Sequence, residues 1–156
     1  MDALDALLNR VSVPRLVEPA PNAAQRELLF RAALRAPDHG QLRPWRFLTI
    51  EGAARERMGE LFAEALQVAD AQAPAEALSK ARGMPLRAPL LVVVIARVQE
   101  HPKVPASEQV IAAGCAAHGM LLAATFRWKN AALSSRLSSL PLLAVVEVQE
   151  VFSKVK

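Results

Sequence analysis

A chain of 156 residues is long enough for one domain with a buried core, and a composition 53% hydrophobic and 22% charged excludes a disordered polymer. The formal charge of +4 is spread without a run of five basic residues or interleaved aromatics, which disfavours nucleic acid and suits a phosphorylated small molecule better. Cys115 is the single cysteine, so no disulfide framework and no cysteine-rich metal site is available.

In chain order, Met1-Asp2-Ala3-Leu4-Asp5 places acids where a signal peptide would carry basic residues, and a cytoplasmic protein is expected. Leu4, Leu7 and Leu8 form an apolar stripe on a short opening helix that ends near Asn9. Asn22 and Gln25 have the spacing of a capping box. The helix they open carries Ala24, Leu28, Leu29, Ala32 and Ala33, and Pro37 stops it. After Trp45, Phe47-Leu48-Thr49-Ile50 reads as a short strand closed by Glu51-Gly52. Ala53 to Ala71 has helical periodicity with Met58, Leu61, Phe62, Ala65 and Val68 on one side; a shorter helix follows from Ala75 to Arg82. The unbroken apolar run Leu90 to Ala96 predicts a strand covered on both faces.

Pro102 and Pro105 make the next connection extended, and Ala106 to Phe126 predicts a long helix rich in alanine and glycine, suited to close packing at the centre of the fold. Its stretch from Val110 carries His118 and two glycines, weak apolarity for a membrane span of ~20 residues. Cys115 on this helix reads as a buried, inert thiol and His118 as a packed, hydrogen-bonded histidine. Leu142 to Val151, with its β-branched residues, predicts a closing strand. Helices and strands mixed without a regular βαβ rhythm give a single α+β domain over 1–156.

Three clusters carry groups capable of chemistry. Asn9-Arg10-Val11-Ser12-Val13-Pro14-Arg15 follows a helix end, and its two guanidiniums and hydroxyl suit a phosphate or a flavin edge; a solvated loop is the alternative. Arg35 to Trp45 packs prolines, a glycine, His39 and two arginines between a helix and a strand, a composition common to ligand-holding loops and to surface turns. His39 lacks companions at metal-ligand spacing, so no metal is expected there. Arg127-Trp128-Lys129-Asn130 lies directly after the predicted long helix, where positive charge suits the helix dipole whatever the function. No Gly-x-Gly-x-x-Gly, Walker loop, Gly-x-Ser-x-Gly elbow or Cys/His nucleophile pair is present. Redox chemistry carried by a bound cofactor needs none of these.

Taken together and in order, Met1-Asp2-Ala3-Leu4, Asn9-Arg10-x-Ser12, Arg35-Ala36-Pro37-Asp38-His39 and Pro44-Trp45-x-Phe47 resemble the nitroreductase family, in particular its short NAD(P)H reductases. The likeness continues through Arg55-Glu56-Arg57, Lys80-Ala81-Arg82, Arg87-Ala88-Pro89, His101-Pro102-Lys103-Val104-Pro105, Glu108-Gln109 and Ala113-Gly114-Cys115. The resemblance implies an α+β flavoprotein with a central sheet flanked by helices and FMN sites at a homodimer interface. It implies that Arg10, Val11 and Ser12 contact FMN, and that Arg35 and His39 reach the cofactor of the partner subunit. It implies ping-pong hydride transfer from NAD(P)H through the flavin to nitroaromatic, quinone or similar acceptors, with Arg10 and its neighbours facing the charge of the reduced flavin.

Arg43 stands where family members often carry Gln. After the long helix, Trp128, Lys129 and Asn130 occupy the positions of a family segment that contacts FMN, but the family's glycines are missing there. Beyond Leu133 the resemblance fades, and the chain ends earlier than is usual for these reductases. Two alternatives therefore stand beside the reductase: a flavin-binding homodimer without efficient turnover, and a basic interaction domain without cofactor.

Overall fold

Reciprocal side-chain caps start the first two helices. In the computed structural model, which describes residues 2–10, 15–131 and 143–147 (127–131 and 143–147 by backbone alone), α1 spans Ala3–Leu8 and α2 spans Ala23–Ala33. Asp2 accepts from the Asp5 amide at 2.8 Å, and Asn22 accepts from the Gln25 amide at 3.0 Å while Gln25 accepts in return at 2.8 Å. The expected Asn22–Gln25 box is therefore formed, satisfying amides that a helix start leaves unpaired.

Strand β1 (Trp45–Glu51) and β2 (Leu90–Ala96) pair antiparallel, with Trp45 opposite Ala96 and Glu51 opposite Leu90. Strand β3 (Leu143–Glu147) lies parallel to β2 on its other edge, so β2 is the middle strand of a mixed sheet. That position explains its unbroken apolar run: Leu90, Val92 and Val94 enter the main core and Leu91 and Val93 are buried on the opposite face. The remainder of the predicted closing strand, to Val151, lies outside the described residues.

Helices α3 (Ala53–Ala69) and α4 (Ala75–Gly83) connect β1 to β2, and α5 (Ala106–Ala131) follows β2. α5 packs on α2 and on the sheet, bringing Ala112, Ala113, Ala116, Ala117, Met120 and Ala124 against Leu29, Ala33 and the strand. At Gly119 a Cβ would stand 3.1 Å from the Ala32 carbonyl oxygen, so small residues set how closely α2 and α5 approach. By length and composition Ala106–Phe126 passes as a membrane span, but here it is the central helix of the core.

Four expectations change. The leucine stripe of α1 faces away from the chain's own core: Leu4, Leu7 and Leu8 are exposed and Ala6 is the buried residue. On α3 the contact face is set by Gly59 and Ala63, with Met58, Phe62 and Leu66 beside them, while Leu61 and Val68 are 61% and 89% exposed and Ala65 is also exposed. The smallest residues win because α4 crosses too close for larger ones. α5 does not stop at Phe126 but runs to Ala131, so Arg127, Trp128, Lys129 and Asn130 belong to its last turns; that segment contains neither proline nor glycine to end a helix. His118 is exposed and Cys115 half-buried, because both sit on the side of α5 turned from α2 and the sheet.

Candidate functional site

Loop 34–44, between α2 and β1, has an unusual backbone. Gly40, Gln41 and Arg43 all have positive φ (73°, 54° and 49°), a region that side chains with a Cβ disfavour by about 1–2 kcal/mol per residue. The compensation is Asp38, whose carboxylate accepts from the Leu42 amide at 3.1 Å and the Arg43 amide at 2.8 Å. Hydrogen bonds to a charged acceptor are worth more than neutral ones, and two of them hold the turn in its strained shape. The 3-10 turn His39–Gln41 sits inside this clamp.

Two features of the loop face outward. Arg35, just past the end of α2, lines a hollow of about 430 Å³ together with Asp38, Gln41, Arg43 and Trp45. Its volume falls within the range typical of small-molecule sites (roughly 300–1,000 Å³). Two guanidiniums beside an indole suit an anionic group attached to an aromatic body. His39 points elsewhere, with Nδ1 2.8 Å from Glu108 Oε2 on the first turn of α5. Glu108 is itself well anchored, because its neighbour Gln109 is only 1% exposed and fully bonded. The Gln109 amide group donates to the carbonyls of Gln99 (2.8 Å) and Val104 (3.1 Å), and its oxygen accepts from the Gln99 amide at 2.9 Å.

Among the expected site residues, Arg35 and His39 lie on the one clamped loop, with Arg35 lining the hollow and His39 turned to Glu108. Arg10 is half-buried just beyond α1 and does not line the hollow. Val11 and Ser12 lie outside the described residues, and Trp128, Lys129 and Asn130 are placed by backbone alone, within α5. Three residues absent from the expected set matter to the geometry: Asp38, Gln109 and Glu108. Asp38 had a local signal, since an acid shortly before a glycine favours a side chain that caps the turn. Glu108 meets His39 across 69 positions, and no local pattern announces such a contact. No group of three or more His, Cys, Asp or Glu placed to hold a metal occurs among the described residues.

A mixed sheet covered by a central alanine-rich helix, with a clamped, arginine-bearing loop at the mouth of β1, defines an α+β domain with a candidate anion site. The chain belongs to the nitroreductase family, whose model, described as Nitroreductase family, matches residues 7–127. It is 42% identical over 139 residues to the Escherichia coli (strain K12) protein named "Putative NAD(P)H nitroreductase YdjA", covering 86% of this chain and 75% of that one. It is 42% identical over 125 residues to a Haemophilus influenzae protein named "Putative NAD(P)H nitroreductase", covering 80% and 67%. Among solved structures it resembles a nitroreductase-like family protein from Bacillus cereus (TM-score 0.60, 21% identity, 83% of this chain and 66% of that one). It also resembles a nitroreductase with bound FMN from Bacteroides fragilis NCTC 9343 (TM-score 0.58, 21% identity, 80% and 64%). The chain thus spans about two thirds of the length of those structures, and the likeness to them is one of fold.

Proposed function

We propose that this chain is a cytoplasmic FMN-dependent NAD(P)H oxidoreductase of the nitroreductase type, acting as a homodimer. The observation that carries the reading is the clamped loop: backbone strain is held in place where Arg35 borders a ligand-sized hollow, and on the same loop, facing away from that hollow, His39 is engaged by Glu108. The family membership and the FMN in one fold neighbour support the choice of flavin.

In this reading Arg10, Val11 and Ser12 hold one side of the cofactor, with Trp128, Lys129 and Asn130 matching a further family contact. Arg35 and His39 of the partner subunit hold the other side. The chemistry supplied when FMN is bound is two-stage electron transfer, from NAD(P)H and then to a nitroaromatic, quinone or related acceptor. The chain's own part is to bind, orient and balance charge. A guanidinium at Arg10 favours negative charge on a neighbouring ring, and an arginine fork at Arg35 suits an anionic oxygen.

The dimer has its own support. Leu4, Leu7 and Leu8 on α1 and Ile111 and Phe126 on α5 are exposed apolar side chains. An apolar groove of about 500 Å³, lined by Ala6, Leu7, Leu28, Gly119, Leu122 and Phe126, lies between α1, α2 and α5. Apolar surface gathered in this way marks an association face, and a second copy is the partner proposed.

The visible spectrum of the purified protein, taken before and after incubation with FMN and gel filtration, tests the reading. Retained flavin bands, a dimeric mass by light scattering and oxidation of NAD(P)H in the presence of a quinone are expected. A colourless protein that takes up no FMN overturns the flavin assignment; retained flavin without NAD(P)H oxidation leaves a binding protein and removes the enzyme.

A further inference from the structure

We propose that Glu108 is a positioning residue for His39: its carboxylate engages Nδ1 and thereby presents Nε2 to the flavin. The inference rests on the flavin reading above and adds to it a residue that makes no contact with the cofactor itself. Its basis is the 2.8 Å contact between His39 Nδ1 and Glu108 Oε2, which joins loop 34–44 to the first turn of α5.

Both side chains are largely open to solvent, and an exposed ion pair of this kind contributes little to stability. The pair is nonetheless held from both ends. Asp38 clamps the backbone that follows His39, and the buried Gln109 ties the start of α5 to the Gln99 and Val104 backbone. The Gln99 side chain reaches on to the Leu42 carbonyl at 3.5 Å, linking the two clamped segments. With both backbones held, the carboxylate and the ring meet by rotation of two side chains alone.

A carboxylate accepts and does not donate, so the hydrogen of this bond resides on Nδ1. That leaves Nε2 as the ring atom free for a ligand. It accepts from a ribityl-type hydroxyl when the ring is neutral and donates to a phosphate or carbonyl oxygen when the ring is protonated. Without Glu108 the ring keeps its place in the loop but loses its fixed tautomer and orientation, as happens when the outer partner of a working histidine is removed.

The test is a double-mutant cycle on FMN affinity, read by flavin fluorescence, with nitrogen NMR of the His39 ring in the same proteins. Glu108→Ala weakens FMN binding by about three- to tenfold, the scale of one hydrogen bond. Glu108→Gln, which keeps an acceptor oxygen, recovers most of that loss. In a His39→Ala background, Glu108→Ala has no further effect, because its influence passes through the imidazole. The NMR signal shows hydrogen on Nδ1 in the native protein and a mixture of tautomers in Glu108→Ala. An equal loss in both backgrounds, or a ring signal unmoved by Glu108→Ala, overturns the positioning role while FMN binding by the native protein upholds the flavin reading. A native protein that takes up no FMN overturns both.

Discussion

At Gly59 a hydrogen atom stands where any side chain would collide. A Cβ built there would lie 2.3 Å from the carbonyl oxygen of Arg82, and what it meets is backbone, which cannot rotate away. Gly59→Ala is therefore expected to lower the unfolding free energy by about 1–3 kcal/mol as α3 and α4 are forced apart. Gly83 is the control: its φ of −75° is helical, nothing lies within 4 Å of a Cβ there, and Gly83→Ala should be neutral or stabilising by about 0.5 kcal/mol. Urea denaturation of the two variants separates a steric cost from a general intolerance of substitution. Neither outcome is legible in the sequence, where both glycines are merely weak points in helical stretches. The same holds for Glu108, whose partner is 69 residues away.

At the scale of elements, α2 is tied to the edge of the sheet by charge and by rings. Arg26 donates from both terminal nitrogens to the two oxygens of Glu51, and Phe30 meets Phe47 with ring centroids 5.5 Å apart. The hydrogen bonds from Arg26 hold the Glu51 carboxyl below its ordinary value of 4.5. A carboxylate with a depressed folded value adds stability above its unfolded value and loses it as pH falls through the folded one. The stability gap between the native protein and Glu51→Gln should thus be present near neutrality and close in acid below 4.5, and added salt should narrow it because the pair is exposed. Thermal unfolding of both proteins across that range checks the sign; a gap that widens in acid contradicts it. The elements themselves were largely legible: the Asn22–Gln25 box and the apolar run of β2 stand where local signals put them, and the alanine-rich α5 starts at Ala106 as expected but runs five residues past its expected end at Phe126. Which face each helix buries was less so, because Leu61 and Val68 are as apolar as the residues that α3 buries.

For the whole molecule, the exposed leucines of α1 make a prediction that a lone domain would not. Leu8 is 81% exposed, so Leu8→Glu costs the isolated fold almost nothing. If α1 lines the association face, the same change buries a charge at an interface and shifts the protein toward monomer, with flavin retention falling alongside. Light scattering at several concentrations reads the first effect and the visible spectrum the second. A Leu8→Glu protein that remains a flavin-bound dimer moves the interface away from α1.

By itself the sequence determined the class of the molecule: an α+β domain, its family, and the strands and helices in their order. These rest on local signals, namely capping pairs, apolar period and motif spacing, which act over a few residues and survive in one dimension. The crowding of prolines, a glycine and charges marked 35–45 as either a ligand-holding loop or a surface turn, and the family resemblance singled out Arg35 and His39 within it. Only the tertiary structure decided that Asp38 clamps that loop, that Glu108 meets His39 and that the α1 leucines face outward. The His39–Glu108 contact and the outward face of α1 depend on how segments far apart in the chain pack, with Gly119 setting how closely α2 and α5 approach. The Asp38 clamp closes over only four and five residues, but which amides it meets depends on the positive-φ turn at Gly40, Gln41 and Arg43.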